Sequence, residues 1–185
     1  MKRAELLGLI TEDAYTIAVA GTHGKTTTSC ILAHILKYSD IYCTAFLGGI
    51  SSNYNSNLLL SESGNIVVVE ADEYDRSFLK LSPDITIITS VDPDHLDIYE
   101  NAEDMQNTFK MFAKNTKPNG LLLVNKSINI DFDCPEDISL MTYSASLRAD
   151  NVAINLCIEN GAQQFDANIK DLMPGQVYEY ELKDV

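Results

Sequence analysis

Short apolar runs recur along the first part of the chain and alternate with segments of helical periodicity. Continuous runs of this kind are typical of strands that are buried on both faces of a sheet. The predicted strands are residues 15–21, 41–47, 66–71, 85–91 and 121–124. Two predicted helices, Lys25–Tyr38 and Ala102–Thr116, separate some of them. The pattern therefore predicts an α/β fold, with a mostly parallel, P-loop-type sheet flanked by helices.

Each predicted helix carries its apolar residues on one face, and the segment after the second strand is polar. The predicted core positions are Ile31, Leu32, Ile35 and Leu36 in the first helix and Met105, Phe109 and Phe112 in the second. Residues 48–57, with the sequence GGISSNYNSN, are predicted to form a loop.

The pattern changes after about Asp131, where alternating residues replace the continuous apolar runs. Residues 152–158 and 163–169 flank Asn160-Gly161, a dipeptide that favours a tight hairpin turn. Residues 176–182 alternate as a third strand. We therefore predict one domain, with a P-loop α/β core over residues 14–130 and a small, mostly antiparallel appendage over residues 140–185.

Composition and charge narrow the class of protein. Hydrophobic residues make up 45% of the 185, which is typical of a globular domain, and the formal net charge is −14. Such acidity disfavours binding to a nucleic-acid backbone, so a phosphate ligand would need a local cation. No apolar run approaches the roughly 20 residues that span a bilayer, and the first ten residues are too charged for a secretion signal. We expect a cytoplasmic protein with no nucleic-acid or membrane partner.

The four cysteines are widely spaced and form no CxxC pair. They are Cys30, Cys43, Cys134 and Cys157. This spacing argues against a disulfide framework or a zinc site, and predicts reduced, mostly buried thiols.

The segment AVAGTHGKTTTSC, residues 18–30, joins the first strand to the first helix. A glycine turn at a helix start presents backbone N–H groups to an anion, and the helix dipole favours negative charge. Lys25 would reach the β- and γ-phosphates of a nucleotide, and the Thr26 hydroxyl would bind Mg²⁺. Val19 occupies the first glycine position of the strict P-loop pattern, so a plain strand–turn–helix is the alternative. The candidate ATP-binding residues are Gly21, Thr22, His23, Gly24, Lys25, Thr26 and Thr27.

Acidic residues follow two further strands. In VVVEADEYD, Glu70 ends a buried strand and precedes Asp72, Glu73 and Asp75. In SVDPDHLD, His95 stands among aspartates. Mg²⁺ prefers oxygen ligands, so Glu70, on a rigid strand end facing the loop, is the best protein ligand. By chemistry alone, His95 could equally be a surface or core histidine, and the acids could be solvated loop residues.

Taken together, GTHGKTTT and the segment from VVVEADEYD to PDHLDIY resemble the Mur ligase family, and its alanine-adding branch in particular. The resemblance implies that ATP phosphorylates the carboxylate of UDP-N-acetylmuramate to an acyl phosphate, which L-alanine then attacks. It implies catalytic roles for Lys25, Glu70 and His95. It also implies that Thr26 and Glu70 hold one Mg²⁺ and that His95 helps to hold a second metal.

The resemblance further implies that this chain is the central ATP-binding domain of a larger enzyme. An N-terminal UDP-binding domain and a C-terminal domain would complete it, and the chain alone is expected to be inactive. No role is assigned to Ser90, and Lys110 reads as a solvated helix lysine rather than a carbamylated one. Asp72, Glu73 and Asp75 face the substrate or cap the following segment.

Three other functions stay open on the sequence. One is the related ligase that reattaches a recycled tripeptide to UDP-N-acetylmuramate. Another is a P-loop nucleotide-binding module without ligase activity, and the third is a small-molecule kinase.

Overall fold

A computed structural model describes residues 3–92, 99–159 and 162–170. Its helices are α1 (Arg3–Glu12), α2 (Lys25–Tyr38) and α3 (Ala102–Lys114), with a 3₁₀ segment at Tyr74–Lys80. Its strands are β1 (Tyr15–Ala20), β2 (Cys43–Ser51), β3 (Ser56–Leu59), β4 (Ile66–Glu70), β5 (Ile85–Ile88), β6 (Leu121–Asn125), β7 (Ser139–Ser144), β8 (Asn151–Glu159) and β9 (Ala162–Ile169).

The described strands form a single sheet in the order β3-β2-β4-β1-β5-β6-β7-β8-β9. All neighbouring pairs from β2 to β8 are parallel, and only the outermost pairs, β2 with β3 and β8 with β9, are antiparallel. The predicted, mostly parallel α/β fold is confirmed. Because β4, β1 and β5 lie side by side and run in the same direction, their carboxyl ends meet at one edge.

The centre of the sheet is covered on both faces, which explains the continuous apolar runs of its strands. Val19, Val68, Val69 and Ile88 are fully buried. In α3, Met105, Phe109 and Phe112 are buried as predicted. Its N-terminus is capped by Asn101, whose side chain accepts a hydrogen bond from the Asp104 N–H.

The predicted core face of α2 is only partly correct. Ile35 is 40% exposed, whereas the fully buried positions of the helix are Ser29 and Ala33. The helix packs on β1, β2 and β4, and Leu32 and Leu36 are partly buried against the core there.

Residues 48–57 are not wholly a loop. β2 continues to Ser51 and β3 begins at Ser56, and the register between these strands shifts between Phe46 and Ser51. This irregularity and the edge position of β3 explain the error, because an edge strand need not carry an apolar alternation.

The C-terminal hairpin of β8 and β9 is confirmed, and it extends the same sheet. β7 lies almost entirely within residues 140–185, which were predicted to be mostly antiparallel, but it pairs in parallel with β6 of the core. The predicted turn at Asn160-Gly161 and the strand at 176–182 lie outside the described residues.

All four cysteines are free, but only Cys43 is buried and Cys157 is exposed, so the prediction of mostly buried thiols is wrong. None of the described helices is long and apolar enough to cross a membrane.

Candidate functional site

The loop between β1 and α2 follows a backbone path that requires glycine at its first position. Gly21 has φ +145°, a conformation that L side chains rarely adopt. A Cβ atom at this position would overlap Thr89 Oγ1 and lie 2.9 Å from the Ser90 backbone nitrogen. The loop therefore packs directly against the residues that follow β5.

Two hydroxyl side chains after β5 fix the loop in place. Thr89 Oγ1 donates to the His23 carbonyl at 2.6 Å and also lies 3.0 Å from the Ala20 carbonyl. Ser90 Oγ accepts from the His23 N–H at 2.8 Å and lies 2.9 Å from Thr22 Oγ1. No role was predicted for Ser90 from the sequence. The signal that could have revealed it is a small hydroxyl residue just beyond the strand next to the loop.

Lys25 is the first residue of α2, and its ammonium lies inside the curve of the loop. Nζ donates to the Gly21 carbonyl at 2.6 Å and to Glu73 Oε1 at 2.9 Å, and lies 2.8 Å from Glu73 Oε2. The Glu73 side chain is 1% exposed and that of Lys25 is 14% exposed. Glu73 was predicted either to face the substrate or to cap the following segment. In the structure, its carboxylate pairs with Lys25.

Thr26, in the first turn of α2, contacts Glu70 at the end of β4. Thr26 Oγ1 donates to Glu70 Oε1 at 2.9 Å, and Glu70 Oε2 accepts from the Gly48 N–H at 2.6 Å. A Cβ atom at Gly48 would overlap the Glu70 carboxylate, so glycine leaves room for it. A hydroxyl and a carboxylate are the oxygen ligands that Mg²⁺ takes while it keeps waters and phosphate oxygens. This pair fits a Mg²⁺ ion.

Two other predicted residues of the loop differ in exposure. Thr22 is buried against the residues after β5, and the side chain of His23 is exposed, 3.9 Å from the Asp92 carboxylate.

Thr26 and Thr27 border a pocket along α2, which is also lined by Cys30, His34, Ile50, Ser51, Ser52 and Asn53. His95 lies outside the described residues. In the described ranges, no group of three or more His, Cys, Asp or Glu residues could hold a metal ion.

Asp72 lies just before the 3₁₀ segment, whose N-cap residue is Glu73. The Oδ1 atom of Asp72 accepts from the Tyr74 N–H at 3.0 Å, and its carbonyl accepts from the Ser77 hydroxyl at 2.9 Å and the Phe78 N–H at 3.0 Å. These hydrogen bonds stabilise the start of the segment, and the N-cap residue itself makes no side-chain capping hydrogen bond.

Two perturbed groups border the site. Burial, and then the negative charge of Glu73, raise the pKa of Tyr99 to about 12. The Tyr99 hydroxyl thus stays protonated and donates to the Glu73 carbonyl at 2.7 Å. Burial and the nearby Glu70 raise the pKa of the Cys30 thiol, so Cys30 is a poor nucleophile at neutral pH.

These elements place the chain in the P-loop class of α/β proteins, in which a loop of this kind is typical of phosphate sites. A glycine loop leads from a buried strand into a helix, and a lysine, a threonine hydroxyl and a carboxylate meet at the same sheet edge.

The family model for the Mur ligase middle domain matches residues 19–183 of the chain. The chain belongs to the Mur ligase family, which confirms the resemblance seen in its motifs. It is 51% identical over 166 residues to a UDP-N-acetylmuramate–L-alanine ligase of Parabacteroides distasonis, covering 90% of the chain and 36% of the relative. With the enzyme of that name from Porphyromonas gingivalis it shares 49% identity over 183 residues, covering 98% and 40%.

Solved structures show the same fold. A UDP-N-acetylmuramate–alanine ligase from Thermotoga maritima superposes with a TM-score of 0.73 at 25% identity, covering 97% of this chain and 39% of that one. A murein peptide ligase from Psychrobacter arcticus superposes with a TM-score of 0.70 at 22% identity, covering 91% and 40%. The chain thus spans well under half the length of these relatives.

Proposed function

We propose that this chain is the ATP-binding central domain of a ligase that joins L-alanine to UDP-N-acetylmuramate in peptidoglycan precursor synthesis. The observation that carries the proposal is the meeting of Lys25, Thr26 and Glu70 at the sheet edge beside the glycine loop. The substrates are inferred from the names of relatives at 49–51% identity. Domains flanking this one would supply the UDP-binding surface and the closure over ATP.

The reaction would proceed through an acyl phosphate. A carboxylate oxygen of UDP-N-acetylmuramate forms a bond to the γ-phosphorus of ATP, and the bond to ADP breaks. The L-alanine amine then attacks the acyl carbon, phosphate leaves, and the amine loses a proton. Phosphoryl transfer depends mainly on positioning and on neutralising charge.

The residues of this chain suit those two tasks. The N–H groups at the start of α2 bind phosphate oxygens, and Lys25 neutralises charge that develops on the transferred group. Thr26 and Glu70 would hold Mg²⁺, which lowers the repulsion between anions when it is bound. We further propose that His95 contributes to a second metal site.

The proposal is tested by ADP release from the complete ligase, with its flanking domains, in the presence of Mg-ATP and UDP-N-acetylmuramate. We expect ADP only when L-alanine is also present, a product whose mass shows one added alanine, and no turnover in the Lys25→Ala variant. Glu62→Gln is the matched control, because Glu62 is exposed between β3 and β4.

Three outcomes would replace the proposal. Turnover with a tripeptide but not with L-alanine would assign the protein to the recycling ligases. ADP release without any amine, or phosphate transferred to a stable acceptor, would leave a nucleotide-binding module or a kinase.

A further inference from the structure

The buried ion pair between Lys25 and Glu73 lies within the proposed site but is not explained by nucleotide binding alone. A loop lysine that binds phosphate needs no carboxylate, and a buried carboxylate beside a phosphate site repels the ligand. Yet both carboxylate oxygens of Glu73 lie within 2.9 Å of Lys25 Nζ, and the side chain is almost completely buried.

Glu73 is held rigidly from its backbone side. Its carbonyl accepts the Tyr99 hydroxyl at 2.7 Å and the Arg76 N–H at 3.0 Å, and Tyr99 is itself 1% exposed. Tyr99 follows the segment that contains His95, so this contact ties the acidic end of β4 to the region after β5. These hydrogen bonds fix the backbone of Glu73, and its buried side chain extends from this fixed position to Lys25.

The ammonium has three N–H groups, and two of them have acceptors in the structure, one in the loop and one after β4. One donates to the Gly21 carbonyl and one to Glu73 Oε1, and no other described residue accepts the third. Lys25 therefore contacts the loop and the carboxylate together and still has a donor for a phosphate oxygen.

We propose that Glu73 is a positioning residue for the phosphoryl transfer: its buried carboxylate fixes the Lys25 ammonium inside the glycine loop, with one N–H available to the phosphate. The proposal rests on the proposed function, because it needs a nucleotide at this loop. Glu73 acts through Lys25 and does not touch the substrate. Lys25 in turn supplies the counter-charge that lets Glu73 stay buried.

The ion pair is tested first by stability, in this 185-residue chain and without substrate. Lys25→Met keeps the apolar stem but leaves the Glu73 carboxylate buried without its cation, so we expect the thermal midpoint to fall by about 4 °C or more. Adding Glu73→Gln to Lys25→Met should recover at least half of that fall. Failure of the double variant to recover stability would overturn the proposal, and Glu62→Gln should leave the midpoint unchanged.

The positioning role is then tested by kinetics in the complete ligase. Glu73→Gln is nearly isosteric, and we expect kcat to fall about tenfold or more, because the lysine loses its fixed geometry. The KM for ATP should fall about two- to fivefold, because the charge of the Lys25 ammonium is no longer offset by a neighbouring carboxylate. A merely structural role would lower kcat with the KM unchanged or raised.

The outcomes separate this inference from the proposed function. Full activity in Glu73→Gln, or a KM that is unchanged or raised as kcat falls, would overturn the inference while inactivity of Lys25→Met still supported the nucleotide site. Full activity in Lys25→Met would overturn both.

Discussion

At the scale of single residues, the site depends on two places where the chain leaves no room for a Cβ atom. Gly21 lies against Thr89 and Ser90, and Gly48 lies against the Glu70 carboxylate. The first glycine shapes the proposed phosphate-binding loop and the second accommodates the proposed metal ligand. A larger side chain at Gly21 would meet the Ser90 backbone, which cannot move easily. A larger side chain at Gly48 would meet the flexible end of the Glu70 side chain.

Gly21→Ala is expected to destabilise the chain by about 1–3 kcal/mol, because the alanine would be strained at positive φ and would meet the Ser90 backbone. Urea unfolding of this chain measures the effect. An unfolding free energy equal to that of the unchanged chain would show that the loop can relax.

Gly48→Ala is expected to leave the fold intact and displace the Glu70 carboxylate, because φ at Gly48 is not positive and the contacted atoms end a flexible side chain. In the complete ligase, the Mg²⁺ concentration for half-maximal ADP release should rise several-fold. Glu70→Ala should produce an effect in the same direction. A normal Mg²⁺ dependence in both variants would remove Glu70 from the metal site.

At the scale of elements, α3 and the 3₁₀ segment form an aromatic cluster beneath the acidic end of β4. The ring centroids of Phe78 and Phe112 are 4.5 Å apart in a stacked arrangement, and Phe78 meets Phe109 edge-on at 5.3 Å. This packing supports the segment that carries Glu73.

Phe109→Ala is expected to cost about 3–5 kcal/mol of unfolding free energy, because it leaves a cavity at a fully buried position. Met111→Ala in the same helix is the matched control, since Met111 is 55% exposed, and should cost well under 1 kcal/mol. Urea denaturation compares the two variants. Equal costs would mean that α3 does not pack as described.

The junction of β7 and β8 depends on Asp150. Its carboxylate accepts the Thr142 N–H and hydroxyl and pairs with Lys170, and these contacts lower its pKa to about 2. The stabilisation is present above the unfolded value near 3.8 and is lost as pH falls towards 2.

Asp150→Asn should therefore be less stable than the unchanged chain at pH 6, and the difference should shrink between pH 4 and pH 2. Chemical denaturation at several pH values measures this. A difference that is constant with pH would show that the charge of Asp150 does not contribute.

At the scale of the whole molecule, the parallel sheet brings together groups that are distant in sequence. The strands that deliver the site could be predicted, because apolar runs mark strands buried on both faces and a GKT segment at a helix start marks the loop. The pairing of Lys25 with Glu73 could not be predicted, because it joins residues 48 apart and depends on the exact end of β4. The roles of Thr89 and Ser90 were missed, although small hydroxyl residues just beyond β5 were a signal for them. The role of His95 remains a prediction.

The central claim is that the loop at residues 21–27 binds Mg-ATP through Lys25. Calorimetric titration of Mg-ATP into the complete ligase tests it most directly, with Lys25→Ala and Glu62→Gln measured in parallel. We predict one-to-one binding that is weakened at least about tenfold by Lys25→Ala, because a phosphate-binding cation is lost, and unchanged by Glu62→Gln. Undetectable binding, or binding that Lys25→Ala leaves intact, would contradict the account.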